Sequence, residues 1–174
     1  DGYISSAKRI YANDLGKYFV QLILQKKEIT ATINANAGGT IQTSNGLSIT
    51  FPGSAFLFGN MVYDGQVSVY IHYENPNHRE FLNKIPGDMT GIGKQGGIRF
   101  LKSFGVVHVE LRGQNDEMLT LNPNKGAEFS FPIPQGFEVF AKEQLPLWTY
   151  ANDKNTWVED TLAILKGNRY VAFV

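Results

Sequence analysis

Apolar and polar residues alternate with a period of two along most of this chain. Ala31, Ile33 and Ala35 are interleaved with Thr30, Thr32 and Asn34, and Leu47, Ile49 and Phe51 with Ser48 and Thr50. Between residues 66 and 73, Val67, Val69, Ile71 and Tyr73 share one face of a predicted strand, while Ser68, Tyr70 and His72 share the other. Successive side chains of a strand point to opposite sides, so this alternation predicts sheets with one face on a core and one face wet. Further strands are predicted over 3–11, 18–24, 98–102, 106–111, 128–131, 147–151, 157–165 and 170–174.

Turn signals punctuate these runs: Asn13-Asp14-Leu15-Gly16, Ala37-Gly38-Gly39, Ser44-Asn45-Gly46, Tyr63-Asp64-Gly65, Pro86-Gly87-Asp88, Gly96-Gly97 and the stretch 122–126. Asn-Gly and Asp-Gly steps tolerate the positive φ angles of tight hairpins. Only two short helical turns fit the pattern, at 77–84 and 136–142, and neither is long enough for a βαβ unit. The expected fold is therefore all-β, an antiparallel β-sandwich with short strands and tight turns. Its inward residues are predicted to include Ile33, Ile49, Phe51, Val67, Val69, Ile71, Val109, Leu111, Phe129, Phe131, Trp148 and Trp157. A charged joint at Gln25-Lys26-Lys27-Glu28 divides residues 1–27, read as a strand hairpin or the tail of a preceding β module, from a sandwich domain at 28–174.

Composition narrows the functional classes. With 43% hydrophobic and 13% aromatic residues, the chain is too apolar to stay disordered. Sixteen basic residues balance sixteen acidic ones, and no basic run exceeds two residues, as at Lys26-Lys27. A nucleic-acid partner or an anionic membrane surface would require a basic face to displace counterions, so neither is expected. There is no cysteine, which removes disulfides, thiol catalysis and cysteine-ligated zinc, and fits an oxidising compartment. No apolar run approaches the roughly 18 residues of a membrane span, so no membrane insertion is expected. The first residues, Asp1-Gly2, are read as following a targeting segment that has been removed.

Candidate chemistry is sparse. His108 and Glu110 fall on one strand face and His72 could lie across from them, but zinc requires three or four such ligands, so an exposed polar face is the preferred reading. Ser54 in Pro52-Gly53-Ser54-Ala55 lacks the second glycine of a nucleophile elbow and is read as a turn residue. Asp116-Glu117 and Glu159-Asp160 are adjacent acids, whose side chains diverge on a strand and do not converge on one glycosidic bond. Calcium between Asp153 and Asp160 is disfavoured, because calcium takes six or more oxygens. No cofactor is expected. Most aromatics are assigned to the core, but Tyr63, Tyr70, Tyr73, Tyr150 and Tyr170 are retained as possible ligand contacts.

Gly38-Gly39-Thr40-Ile41, then residues 45–52 (Asn-Gly-Leu-Ser-Ile-Thr-Phe-Pro), then Ala55-Phe56 resemble the opening of the ZU-five domain of ankyrins and netrin receptors. Residues 65–71 resemble that family's next strand. The family places glycine directly before the alanine of its turn, where this chain has Ser54. Pro86-Gly87-Asp88-Met89, residues 101–105, Val109-Glu110-Leu111, residues 131–134, Pro146-Leu147-Trp148 and Trp157 resemble bacterial relatives found in Bacteroidetes surface lipoproteins, often beside carboxypeptidase-regulatory-like modules. Together the pieces cover residues 28–174. The resemblance implies a β-sandwich used for protein contacts. Some relatives self-cleave at a His-Phe-Ser motif, and these residues contain none.

The matching residues are turn glycines, strand-ending prolines and space-filling tryptophans, which speak for fold more than for activity. The functional expectation is a non-catalytic extracytoplasmic binding or scaffolding module acting in protein–protein interaction or adhesion. Its place is the periplasm or cell surface, lipid-anchored in the full-length protein. The alternative is a carbohydrate-binding accessory module of a surface lipoprotein, its glycan held by the tyrosines.

Overall fold

In a computed structural model, the structure describes residues 2–10, 14 and 16–174. Its strands are β1 (Ala31–Asn34), β2 (Gly39–Gln42), β3 (Ser48–Phe51), β4 (Phe56–Phe58), β5 (Met61–Val62), β6 (Gln66–Glu74), β7 (Thr90–Ile92), β8 (Ile98–Phe100), β9 (Val106–Arg112), β10 (Met118–Leu121), β11 (Glu128–Pro132), β12 (Gln144–Ala151), β13 (Thr156–Lys166) and β14 (Arg169–Phe173). Helix α1 (Phe81–Lys84) and a 3-10 turn at Glu138–Phe140 fall inside the two helical windows that the sequence suggested.

The strands build two sheets. One has six strands in the order β1-β6-β9-β10-β4-β5, and the other eight, β2-β3-β11-β14-β13-β7-β8 with β12 paired along β13. Every pairing is antiparallel except the two-residue contact of β13 with β7, where Trp157 meets Gly91 and Val158 meets Ile92. This is the antiparallel sandwich that the alternation demands.

The sheets meet over one main core. Ile41, Ile49 and Phe51 from the eight-stranded sheet face Phe56, Val67, Val69, Leu111 and Leu119 from the six-stranded one, all buried. Ile33, Ile71, Val109, Phe129 and Phe131 pack against them half-buried. A second cluster extends from Phe131 through Tyr170, Ala172, Ala163 and Phe104 to Phe137.

Trp148 and Trp157 depart from the expectation that they fill the space between the sheets. Neither belongs to these clusters. Trp157 is buried against Tyr150, ring centroids 5.2 Å apart and edge-to-face. Trp148 lies over Gly91 so closely that a Cβ there would stand 2.7 Å from its ring. These rings form a separate packing beneath residues 7–9 and 86–88, where Ala7 accepts a hydrogen bond from Gly87 N at 2.7 Å and Arg9 donates to the Asn155 carbonyl at 2.5 Å.

The amino-terminal hairpin expected over 3–24 is replaced by something looser. Of its turn, residues 13 and 15 lie outside the described residues, as does residue 11 of its first strand. The described residues of 2–27 carry a single isolated bridge, Tyr3 with Lys26, rather than two paired strands. They form an extended strap whose ends are joined by Ile4 N to Gln25 O and Lys27 N to Gly2 O, both 2.8 Å. It is tied to the rest of the fold by Ile23 N to Asn83 O at 3.3 Å and Gly87 N to Ala7 O at 2.7 Å. The sequence from 18 to 24 places apolar residues on both parities, so no single face selects the core, and Phe19 is left 92% exposed.

Candidate functional site

Strands β6 and β9 pair in a register that sets Tyr70 opposite Glu110 and His72 opposite His108. Their alternate partners, Val69 with Leu111 and Ile71 with Val109, face the core. The period-two pattern therefore gathers a patch of titratable groups on the outer face of the six-stranded sheet. The strap crosses this patch. Thr30 N donates to Val69 O at 2.9 Å, and Thr30 Oγ1 accepts from Ile71 N at 2.9 Å, extending the β1–β6 ladder with a side chain.

The ionic contacts fall into two groups. Lys27 Nζ lies 2.8 and 3.0 Å from the two oxygens of Glu110, and Arg112 Nε donates to Glu110 Oε1 at 2.7 Å. Glu74, 6% exposed, lies 2.6 Å from His72 Nε2 and 3.8 Å from Lys84 Nζ, and accepts a hydrogen bond from Gln25 Nε2. Burial pushes the Glu110 carboxyl up, but the hydrogen bonds and charges of Lys27 and Arg112 more than offset it, leaving it below its ordinary value. The hydrogen bond to Glu110 raises Arg112 in turn. Burial holds His108 below the usual imidazole value, against the attraction of Glu110 3.9 Å away.

A groove of about 220 Å³ opens beside the patch, lined by Ile4, Lys26 to Thr30, Tyr70, Ile71, His72 and His108. Glu110 is already bonded to Lys27 and Arg112, and Glu74 to His72 with Lys84 beside it, and among the described residues no serine or threonine hydroxyl is bonded to either histidine. Among the described residues no group of three or more metal-ligating side chains converges. The arrangement does one thing well: it clamps residues 25–30 to the sheet.

The five tyrosines do not assemble. Tyr170 is 0% exposed, so its retention as a ligand contact is corrected: its hydroxyl donates to Lys142 O at 2.7 Å and accepts from Lys142 N at 2.9 Å. Tyr73 turns inward, its hydroxyl donating to Phe104 O at 3.1 Å, and burial raises its phenol above the usual value. Tyr63 packs against the main core and accepts from Gln114 N at 2.8 Å. Burial also raises Tyr150, which lies edge-on to Trp157. Tyr70 sits on the outer face of β6 with Lys27 Nζ 5.9 Å from its ring centre. No flat aromatic strip results.

A second surface is apolar and open. Strand β8 closes one end of the eight-stranded sheet, and its Ile98 and Phe100 are 73% and 90% exposed. Ile92 lies opposite Ile98, and Val158 lies beside Ile92, so the same face continues across β7 to β13. The sequence predicted the strand at 98–102 but held no sign that it would lie at an edge. Beyond its end lies a shallow groove of about 390 Å³, lined by Phe81, Leu82, Met89, Leu101 and Phe137 with Arg79, Lys102 and His78.

No protein-family model matches the chain, and neither does any curated protein or solved structure.

Proposed function

We propose that this chain is a non-catalytic binding or scaffolding module that engages another protein outside the cytoplasm. The observation that carries this reading is the open edge of the eight-stranded sheet, where Ile98 and Phe100 stand in solvent on a strand with one unpaired side. Exposed apolar residues on a free strand edge are a liability unless a partner uses them. The paired state of Glu74 and Glu110 favours a structural role for the only dense ionic cluster among the described residues.

The likeness to ZU-five sandwiches is proposed on the same footing. Ser54, where that family carries glycine, holds a left-handed backbone at φ +57°. That is the conformation glycine favours, which supports the likeness at this turn.

The test is saturable binding of the immobilised chain to a defined envelope protein, run beside a glycan array. Protein binding with a silent array supports the reading. Saturable glycan binding lost on substitution of Tyr70 would replace it with the carbohydrate reading. For location, a signal or lipobox sequence upstream in the full-length gene is the expected result, and its absence there would remove the extracytoplasmic assignment.

A further inference from the structure

Resting on the protein-binding reading, the geometry of β8 points to the chemistry of the partner segment. Leu101 N donates to Met89 O at 2.8 Å and Gly93 N to Gly97 O at 3.1 Å. Residues 97, 99 and 101 are therefore the ones whose backbone faces β7. An antiparallel strand alternates the direction of its backbone groups, so the N–H and C=O of Ile98 and Phe100 point to the open edge. The same two residues put their side chains, 73% and 90% exposed, on one face of the sheet. An incoming strand would meet two donors, two acceptors and two apolar side chains in a single register.

Charge decides what kind of strand fits. Residues 94–102 contain Lys94, Arg99 and Lys102 and no carboxylate, and Glu159 of β13, whose Oε2 accepts from Lys94 N at 3.2 Å, offsets only one of these three charges. The groove beyond the strand adds Arg79 and again lacks an acid among its lining residues. Pairing with a second copy would bring two basic strands together, and the symmetric register centred on Arg99 sets it directly against its own copy. We propose that β8 accepts an extended segment of a different protein in which apolar residues alternate with acidic ones. The apolar side chains would lie with Ile98 and Phe100 and the carboxylates with Arg99, adding a strand to the sheet.

The experiment uses the full chain and a fluorescent octapeptide alternating valine with glutamate, read by anisotropy, with a valine–lysine peptide as control. The expected result is saturable binding of the acidic peptide alone. Phe100→Pro deletes an outward N–H and the exposed ring but no hydrogen bond to β7, so it should weaken binding about tenfold or more, a loss of ~1.4 kcal/mol. Arg99→Glu should weaken the acidic peptide and admit the lysine one, and it decides the matter if Phe100→Pro fails to fold. Absence of saturable binding, equal binding of both peptides, undiminished binding by both variants, or a dimer that Phe100→Pro dissolves would each overturn the proposal. Binding of an envelope protein that neither variant weakens would remove β8 as the site and leave the protein-binding reading in place.

Discussion

His72 and His108 stand directly opposite one another across the β6–β9 ladder, yet only one of them is satisfied. His72 Nε2 lies 2.6 Å from Glu74 Oε1, whereas the buried Nε2 of His108 has no hydrogen-bond partner and lies 3.9 Å from Glu110. Each histidine has a glutamate two residues along its strand, and the pair is split because Glu110 is bonded to Lys27 and Arg112 while Glu74 is bonded to His72.

That split predicts a pH dependence. Burial lowers His108 first, with Glu110 opposing and His72 and Lys27 adding to the depression. The unfolded chain therefore takes up this proton before the folded one does. The stability that neutral His108 contributes is complete above the unfolded value of about 6.5 and is lost as the pH falls from there toward the lower folded value. Thermal melts between pH 7.5 and 5 should show a falling Tm, and His108→Gln should flatten that slope. An unchanged slope in the variant would place the titration elsewhere.

Removing the strap's anchor should loosen it locally. Lys27→Met deletes the bond to Glu110, in which both side chains are less than a fifth exposed, at 18% and 12%. A hydrogen bond to a charged group contributes roughly 1.5–3 kcal/mol. The Glu110 carboxyl, now held by Arg112 alone among its close cations, should titrate higher. Hydrogen exchange at Thr30 and Ile71 should quicken while the β11–β14 amides stay protected. Uniform quickening over both sheets would show that the strap is part of the global folding unit.

Tyr170 offers a test of core against surface. Tyr170→Phe keeps the stack on Phe131, centroids 5.9 Å apart, and the edge contact with Phe104 at 5.6 Å, but leaves the Lys142 N–H and C=O without the hydroxyl. The expected cost is about 0.5–1.5 kcal/mol. For a chain of this length that corresponds to a Tm lower by roughly 2–4 °C per kcal/mol. Tyr170→Ala should cost several times more, about 3–5 kcal/mol, because it opens a cavity at a site with no exposure.

The turn after β3 should respond oppositely at two adjacent positions. A Cβ at Gly53 would stand 2.4 Å from the backbone oxygen of Asn36, so Gly53→Ala should destabilise by about 1–3 kcal/mol. Ser54 is left-handed at φ +57°, a conformation that costs non-glycine residues roughly 1–2 kcal/mol. Ser54→Gly should therefore recover part of that cost, and chemical denaturation of the two variants measures both signs. A loss of stability in Ser54→Gly would mean that the serine's restriction of the unfolded chain outweighs the strain.

Alternation along β3, β6, β9 and β11 determined the two sheets and most of the core. Val67 and Val69 are fully buried, Leu111 packs beside them in the same sheet and Ile49 belongs to the facing one, because a period of two can bury only one face of a strand. The same rule places His72, His108 and Glu110 together on the wet side. What the sequence could not carry was partnership between distant segments. Lys27 reaches Glu110 across 83 positions, and Gln25 reaches Glu74 across 49, contacts that only the path of the strap decides. Residues 18–24 read as a strand by composition, but a strand exists only where a neighbour supplies its hydrogen bonds, and the described strap supplies one bridge. Trp148 and Trp157 carry the size and hydrophobicity of core residues, and the two-residue parallel contact of β13 with β7 turned them toward a different packing. The edge position of β8 was equally hidden. Ile98 and Phe100 are apolar whichever side is covered, and it is the order of strands in the sheet, a tertiary property, that leaves one side of them open.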